Sequence, residues 1–288
     1  ILVASTSVIS LIGWFIVKEK HYVEEQRTEK LKLHDFFDLF RENKAMVIFA
    51  AKGLFAGFIW TLVFATPTYY IKWGFCADLT TGIADMDRFT VYSGISSVIT
   101  VVPMVLGAIL GRPLMKLFKD PVKMTCFLLT VQAIGGCILF VAQIAGFLQH
   151  APWLFFITMF IIATGVGTDF VPQNFVQMEV VDYGIYKTGK DRSALTTVTD
   201  GFITKLQTAF SATIVGMILT GIGYVVEEGN RFAGDVSQIP VMLDWFIVIM
   251  GLVPAVLGII SVIIYKKYPI TNQIRLEMKA FFEKNGKN

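Results

Sequence analysis

The sequence predicts an all-α protein that crosses a membrane several times. Of its 288 residues, 55% are hydrophobic and only 16% are charged, with a mean hydropathy of +0.63. A soluble domain of this size needs more charge for its surface. The apolar residues form runs of about 20, the length of helix that spans roughly 30 Å of hydrocarbon. Basic residues are concentrated in every second connection between these runs. We therefore interpret the chain as a polytopic membrane protein.

Seven apolar segments are predicted to be transmembrane helices or parts of them. They cover roughly 1–17, 45–73, 93–114, 122–147, 153–178, 195–226 and 242–265. The first segment has no initial methionine, basic flank or cleavage site, so it is not a signal peptide. We interpret it as the truncated end of a preceding helix, and the chain as a fragment of a longer protein.

The distribution of basic residues predicts the direction of the spans. Lys and Arg are concentrated in 18–44, 112–123, 187–192 and 266–288, and they are scarce in the alternate connections. The positive-inside rule then places the 18–44 segment and the C-terminus in the cytoplasm. We expect a multi-pass protein of the plasma membrane, surrounded by lipid.

Residues 18–44 are predicted to connect two parts of a larger bundle. Their stretch KLHDFFDLFREN is typical of a short amphipathic helix, with Leu33, Phe36, Phe37 and Phe40 on one side. The segment is either a solvated linker with a surface helix or a central connector between two six-helix halves. A truncated sixth helix at 1–17, this connector, six spans over 45–265 and a tail at 266–288 fit the second half of a twelve-helix transporter.

Polar stripes lie deep in two consecutive predicted spans, where charged residues face a cavity or a partner. Lys205 is about 15 Å from the start of its span. The stripe on its helix comprises Asp200, Gly201, Thr204, Lys205, Thr208 and Ser211. The stripe on the preceding helix comprises Gly165, Thr168, Asp169, Pro172 and Gln173.

These stripes are either polar helix–helix contacts or the lining of a substrate cavity. We predict the cavity, because a contact does not require full charges, and we hypothesise an Asp169–Lys205 ion pair or a ligand shared by both. Lys52 lies two turns into its own helix and is interpreted as snorkelling to the cytoplasmic surface.

Aromatic residues end the span at 45–73 with the sequence PTYYIKW. Tyr69, Tyr70 and Trp73 are interpreted as an interfacial belt. Aromatic rings also stack on the apolar faces of sugars, so Tyr69 and Trp73 are kept as candidate substrate contacts.

The stretch DYGIYKTGKDRSALTTVTDGFITKLQTAF, residues 182–210, carries a family resemblance. It resembles the link between the tenth and eleventh helices of the glycoside–pentoside–hexuronide:cation symporters, the melibiose-permease-like branch of the major facilitator superfamily. The matching residues are Asp182, Tyr183, Gly184, Lys187, Thr188, Gly189, Lys190 and the pair Lys205–Leu206. Ile185 and Asp191 depart from the family pattern, which usually has glutamate and arginine there.

The resemblance implies a secondary active transporter, not an enzyme, that couples uptake of a sugar or glycoside to Na+ or H+ by alternating access. It implies no cofactor and no metal or nucleic-acid site, and it assigns the coupling cation mainly to the missing N-terminal half. It also places the lysine matching Lys205 near the sugar and cation sites. The candidate substrate- or ion-binding residues are Lys205, Asp169, Thr208, Thr204, Asp200, Tyr69, Trp73 and Gln173.

The start of the same stretch is predicted to be a cytoplasmic hairpin that gates the transporter. Gly184 and Gly189 would allow its turns. The candidate gate residues, some of which would form salt bridges, are Asp182, Tyr183, Lys187 and Arg192. The alternative is a positive-inside anchor whose charges are simply solvated.

Other classes remain open. Some relatives carry lipids, so a lysophospholipid or other organic-solute symporter is the nearest alternative, and the number of spans also suggests a seven-helix receptor or sensor. Motifs of intramembrane enzymes such as HExxH, GxSxG or GxGD do not occur. Cys76, Cys126 and Cys137 lack CxxC spacing and are interpreted as buried thiols.

Overall fold

The computed structural model describes residues 33–224 and 229–284. The chain divides into two compact units, residues 1–36 and 37–288. In the first unit only residues 33–36 are described, as the beginning of a helix, and the description below concerns the second. The predicted partial span at 1–17 and most of the predicted connector at 18–44 therefore lie outside the described residues.

Within those ranges the structure is built almost entirely from helices. The α-helices are α1 (Leu33–Glu42), α2 (Lys44–Val63), α3 (Pro67–Tyr70), α4 (Met86–Phe118), α5 (Pro121–Ile144), α6 (Pro152–Thr188), α7 (Ser193–Gly221), α8 (Ile239–Ile247), α9 (Val253–Tyr265) and α10 (Asn272–Lys284). Shorter elements are π-helical turns at Ile71–Phe75 and Val248–Leu252, 3₁₀ turns at Leu148–His150 and Val236–Gln238, and strands β1 (Ala77–Asp78) and β2 (Ile83–Ala84). The two strands pair antiparallel, with Ala77 opposite Ala84.

Among the described residues, six helical stretches are long and apolar enough to cross a membrane. They are Lys44–Phe75, Met86–Phe118, Pro121–Ile144, Pro152–Thr188, Ser193–Gly221 and Val236–Tyr265. Each overlaps one of the six segments predicted between 45 and 265, so the all-α, polytopic fold is confirmed for the described part of the chain.

The largest difference from the predicted boundaries is at the end of α6. The apolar run ends near 178, but the helix continues to Thr188 and stops at Gly189, whose φ of +70° suits glycine. Hydropathy marks where a helix leaves the apolar layer, whereas backbone hydrogen bonding continues as long as the residues allow it. The predicted hairpin is therefore mostly helix, and Gly184 lies inside α6 rather than in a turn.

The amphipathic helix predicted before the first complete span is present as α1. Its packed face differs from the prediction, because Phe37 is 64% exposed while Leu39 is 2% exposed. Asn43 then separates α1 from α2: its side-chain oxygen accepts from the Met46 N–H at 3.0 Å and its amide donates to the Val180 carbonyl at 2.8 Å. This cap fixes the start of α2 against α6.

The closest helix packing is between α4 and α6. A Cβ at Gly107 would overlap the Thr164 carbonyl, and a Cβ at Gly167 would overlap the Met104 carbonyl. Small residues let the two backbones approach in this way, as is usual between membrane helices. Both helices remain continuous through internal prolines, including Pro172 in α6.

The connections 119–120, 189–192 and 266–271 meet at one end of the bundle, here called the basic end. At the opposite end a buried chain of hydrogen bonds joins three elements. The Tyr70 hydroxyl donates to Gln143 Oε1 at 2.5 Å, and Gln143 Nε2 donates to Asp244 Oδ1 at 2.8 Å. This network holds α3, α5 and α8 together.

Candidate functional site

A cavity of about 290 Å³ opens between α2, α5, α6 and α7, and it is the candidate functional site. Its polar lining comprises Lys52, Thr61, Gln132, Asp169, Gln173, Asp200, Thr204, Gln207 and Thr208. Apolar and aromatic side chains complete the wall, among them Trp60, Phe170, Leu129 and Val166. The cavity thus brings together five of the sequence-predicted site residues: Asp169, Gln173, Asp200, Thr204 and Thr208.

An ion pair between Lys52 of α2 and Asp169 of α6 lies in the cavity wall. Lys52 Nζ is 3.2 Å from Asp169 Oδ2, and the residues are 1% and 9% exposed. The prediction that Lys52 snorkels to the surface is wrong, because its side chain lies on the face of α2 that packs inside the bundle. The Lys52 ammonium also lies 5.4 Å from the centre of the Tyr265 ring, a cation–π distance.

The hypothesised Asp169–Lys205 ion pair is absent, since Asp169 is paired with Lys52. The reason is the position of α7, which packs mainly against α2 and not against α6, its neighbour in sequence. Lys205 is exposed on α7, does not line the cavity, and has no ion pair among residues 33–224 and 229–284. Consecutive antiparallel helices do not have to be in contact.

A polar seam joins α2 to α7 beside the cavity. Gln207 Nε2 donates to the carbonyls of Gly53 and Leu54 at 2.5 and 3.2 Å. Gly57 leaves the space for this amide, because a Cβ there would overlap it. The hydroxyls of Thr61 and Ser211 lie 2.5 Å apart at the next turn. The predicted stripe on α7 therefore serves both interpretations, a helix contact through Ser211 and a cavity lining through Asp200, Thr204 and Thr208.

Sequence reasoning missed several residues of the wall. Gln207 lies seven residues after Asp200, so the spacing that identified the stripe on α7 also includes it. Gln132 is an isolated amide in an apolar stretch of α5 and is 7% exposed. Trp60 and Phe170 gave no signal, because single aromatic residues are common in membrane helices.

The aromatic candidates near the end of the first complete span lie elsewhere. Tyr70 and Trp73 are both 0% exposed, so the interfacial-belt interpretation is wrong for these two. Tyr69 is half-buried and its ring lies 5.3 Å from that of Tyr224 and 5.8 Å from that of Phe246, centre to centre. Neither Tyr69 nor Trp73 lines the cavity beside Lys52.

The predicted gate residues lie at the basic end. Arg192 Nη1 is 2.8 Å from Glu42 Oε2, which joins the loop after α6 to α1. Tyr183 is buried in the core at this end, and the Lys187 ammonium lies 5.6 Å from its ring centre. Asp182 and Lys187 have no ion pair in the part of the chain that the structure describes.

A second ionic contact at the basic end was not predicted, and we call it the Arg275 clamp. Arg275 of α10 makes a forked contact with Glu179 of α6, with N–O distances of 2.7 and 3.1 Å. Its third nitrogen lies 3.3 Å from Asp120 Oδ2, at the start of α5. The clamp fastens the C-terminal helix to two spans, and its partners are too far apart in sequence to be paired by inspection.

The cysteines differ from one another. Cys76 is buried, Cys126 is partly buried and Cys137 is exposed, so the prediction of a buried thiol is wrong for Cys137. Within the described ranges no three His, Cys, Asp or Glu side chains are grouped so that they could hold a metal ion.

Comparison with known proteins agrees with this architecture. The sequence model of a family described as "MFS/sugar transport protein" matches residues 1–272. A comparison with curated proteins gives no match. The family match covers nearly the whole chain, and the six membrane-crossing helices fit it. The chain therefore belongs to this transporter family of the major facilitator superfamily and is a multi-pass membrane protein.

Proposed function

We propose that the chain is the C-terminal half of a cation-coupled symporter for a sugar or glycoside, in the melibiose-permease-like branch of the superfamily. The observation that carries this proposal is the cavity between α2, α5, α6 and α7. Three glutamine amides and three threonine hydroxyls line it, and such groups hydrogen-bond the hydroxyls of a sugar. Its volume of about 290 Å³ is near the lower end of the range for small-molecule pockets.

Two aromatic rings in the cavity support a sugar as the ligand. Trp60 and Phe170 are 38% and 47% exposed, and their ring centres are 5.9 Å apart. The apolar face of a sugar ring can stack on such a surface while its hydroxyls reach the amides. A ring this exposed without a ligand gains buried area when one binds.

The exposure of two spans supports the presence of a second six-helix half in the transporter. In the 18-residue apolar stretch of each span, only 17% is buried for α4 and 11% for α7, compared with 39–56% for the other four described spans. In the proposed transporter these faces pack against another six helices, and rocking of the two halves gives alternating access. Lys205, exposed on α7, then contacts substrate or cation together with the other half, and the basic end is cytoplasmic.

The charges in the cavity do not favour the lipid alternative. Asp169 and Asp200 outnumber Lys52 there, and a lysophospholipid brings an anionic phosphate that two carboxylates would repel. A neutral glycoside meets no such penalty.

Uptake measurements test the proposal directly. The full-length protein is reconstituted into vesicles and supplied with labelled glycosides, pentosides and uronides under imposed Na+ or pH gradients. We expect gradient-dependent uptake of at least one neutral sugar. Absence of uptake for the whole panel under every gradient refutes the proposal.

A matched pair of variants on α6 links uptake to the cavity. Phe170 and Phe175 are both 47% exposed, but only Phe170 lines the cavity. Phe170→Ala should raise KM about tenfold, which corresponds to about 1.4 kcal/mol of lost stacking. Phe175→Ala should leave KM unchanged, and equal effects of the two substitutions would contradict the cavity as the sugar site. Lys205→Ala should abolish uptake without loss of folded protein.

A further inference from the structure

The charged groups of the cavity do not balance. Lys52 of α2, Asp169 of α6 and Asp200 of α7 line it, so that one ammonium faces two carboxylates. Lys52 is paired with Asp169, while Asp200 is half-buried and has no ion pair within the described part of the chain. With all three groups ionised, the cavity carries one net negative charge.

The carboxylate of Asp169 is only half satisfied. Its Oδ2 is 3.2 Å from Lys52 Nζ, but its Oδ1 is buried and finds no hydrogen-bond donor among the described residues. The residue as a whole is 9% exposed. An ionised carboxylate oxygen that is buried without a donor is costly, so the position favours any group that brings a proton or a positive charge.

Lys52 is held in place as the counter-charge of Asp169. It is 1% exposed, is held by Asp169 and lies against the Tyr265 ring. It also lines the same cavity as Asp200. Among the described residues, the titratable groups near the pair also include Tyr265 of α9 and Cys126 of α5, and both residue types are ordinarily uncharged at neutral pH.

We propose that Lys52, Asp169 and Asp200 form a binding site for one monovalent cation, either a proton or Na+, held by Asp169 Oδ1 and the Asp200 carboxylate. Lys52 supplies the fixed positive charge that limits the site to a single cation. The inference rests on the proposed function in one respect: it gives this half of the transporter a coupling-ion site, in addition to the site expected in the other half.

The proposal predicts that binding follows the net charge of the cavity. Asp169→Asn and Asp200→Asn each make the cavity neutral, so each should abolish the site. Lys52→Met leaves two negative charges and should bind the cation more tightly, by about tenfold or more. The double variant Lys52→Met/Asp169→Asn returns the cavity to one negative charge and should recover binding. A merely structural role of the ion pair would not restore binding in the double variant.

Cation binding is measured on the purified full-length protein without any sugar. One arm follows equilibrium binding of ²²Na+ at a fixed alkaline pH, and the other counts protons taken up between pH 9 and pH 5 by difference titration. In one of the two arms Asp169→Asn and Asp200→Asn should bind one cation fewer than the parent protein. The arm that shows the loss identifies the ion.

Controls keep the test decisive. Glu283→Gln removes a carboxylate from an exposed pair on α10, and in both arms it should bind as many cations as the parent protein. Asp200→Asn alters a half-buried side chain that has no ion-pair partner among the described residues, so it should fold even if Lys52→Met does not, and size-exclusion chromatography checks this.

Unchanged cation binding in folded Asp200→Asn, in both arms, overturns the proposal, as does failure of the double variant to recover it. Since no sugar is present, a protein that transports none of the tested sugars can still show the predicted pattern. A confirmed sugar symporter can equally lack it.

Discussion

The polar seam between α2 and α7 predicts that adding a single methyl group, in Gly57→Ala, destabilises the protein. In Gly57→Ala the new Cβ overlaps the side-chain amide of Gln207. Gln207 is 6% exposed and its amide is held by two backbone carbonyls of α2, so the amide can only give way by leaving them. The substitution therefore exchanges two hydrogen bonds for one methyl group.

The magnitude follows from those contacts. Each hydrogen bond contributes about 0.5–1.5 kcal/mol, and alanine in a helix interior recovers about 0.5–1 kcal/mol relative to glycine. The net loss should be about 1–2 kcal/mol in the free energy of unfolding. Gly53→Ala, one turn earlier on α2, is the matched control because nothing lies within 4 Å of its added Cβ. It should stabilise the protein by up to about 1 kcal/mol.

The assay is reversible unfolding in mixed micelles, followed for both glycine variants, for Gln207→Ala alone and for Gln207→Ala combined with Gly57→Ala. Removal of the amide should cancel most of the steric cost, so the double variant should show a coupling free energy of about 1 kcal/mol or more. If Gly57→Ala and Gly53→Ala have the same stability, Gln207 does not occupy the space above Gly57 and the packing of α7 on α2 is wrong.

Further predictions concern the two ends of the bundle. Arg275→Gln removes the Arg275 clamp and should speed proteolysis of α10 roughly tenfold, because the Arg275 side chain is only 21% exposed. Lys279→Gln removes an exposed 3.8 Å pair with Glu283 and should leave the proteolysis rate unchanged. Tyr70→Phe leaves the buried oxygen of Gln143 without a donor and should lower the free energy of unfolding by about 1–3 kcal/mol, whereas Tyr69→Phe should cost less than about 0.5 kcal/mol. Burial raises the pKa of the Cys76 thiol to about 11, so its maleimide reaction at pH 8 should be about 100-fold slower than that of an ordinary thiol and should accelerate about tenfold per pH unit up to pH 10.

Each of these has a contrary result. Equal cleavage rates in Arg275→Gln and Lys279→Gln would argue against the clamp. Equal stabilities of Tyr70→Phe and Tyr69→Phe would show that the hydrogen bond from Tyr70 to Gln143 does not stabilise the protein. The thiol is measured with Cys126 and Cys137 replaced by serine. A reaction rate that levels off between pH 8 and pH 9 would show that burial does not raise the pKa of Cys76.

The spans were predictable because bilayer thickness imposes a length that the sequence must follow. The end of α6 was not, because its last turns are polar and hydropathy cannot distinguish an exposed helix from a loop. Gly189 is visible as a helix terminator only once the helix is known to reach it.

The polar stripes that line the cavity were predictable from the sequence, but the predicted ion pair at its centre was wrong. Spacing on one helix shows that Asp200, Thr204 and Thr208 share a face. Which other helix that face meets depends on packing of all six spans, and sequence order suggested α6 where the structure has α2. Lys52 was misjudged for the same reason, since depth along a helix says nothing about which side of it faces the bundle.

The Lys52–Asp169 pair also has a consequence for how the protein is made. Lys52 is the only charged residue between Ala45 and Ile71, and its partner follows 117 residues later in the chain. At ribosomal speeds of about 5–20 residues per second, roughly 6–23 s of synthesis separate the two. During that time α2 must enter the membrane with an unpaired ammonium, a penalty of up to about 3 kcal/mol on insertion scales. The long apolar run around Lys52 is what lets the helix insert before its counter-charge exists.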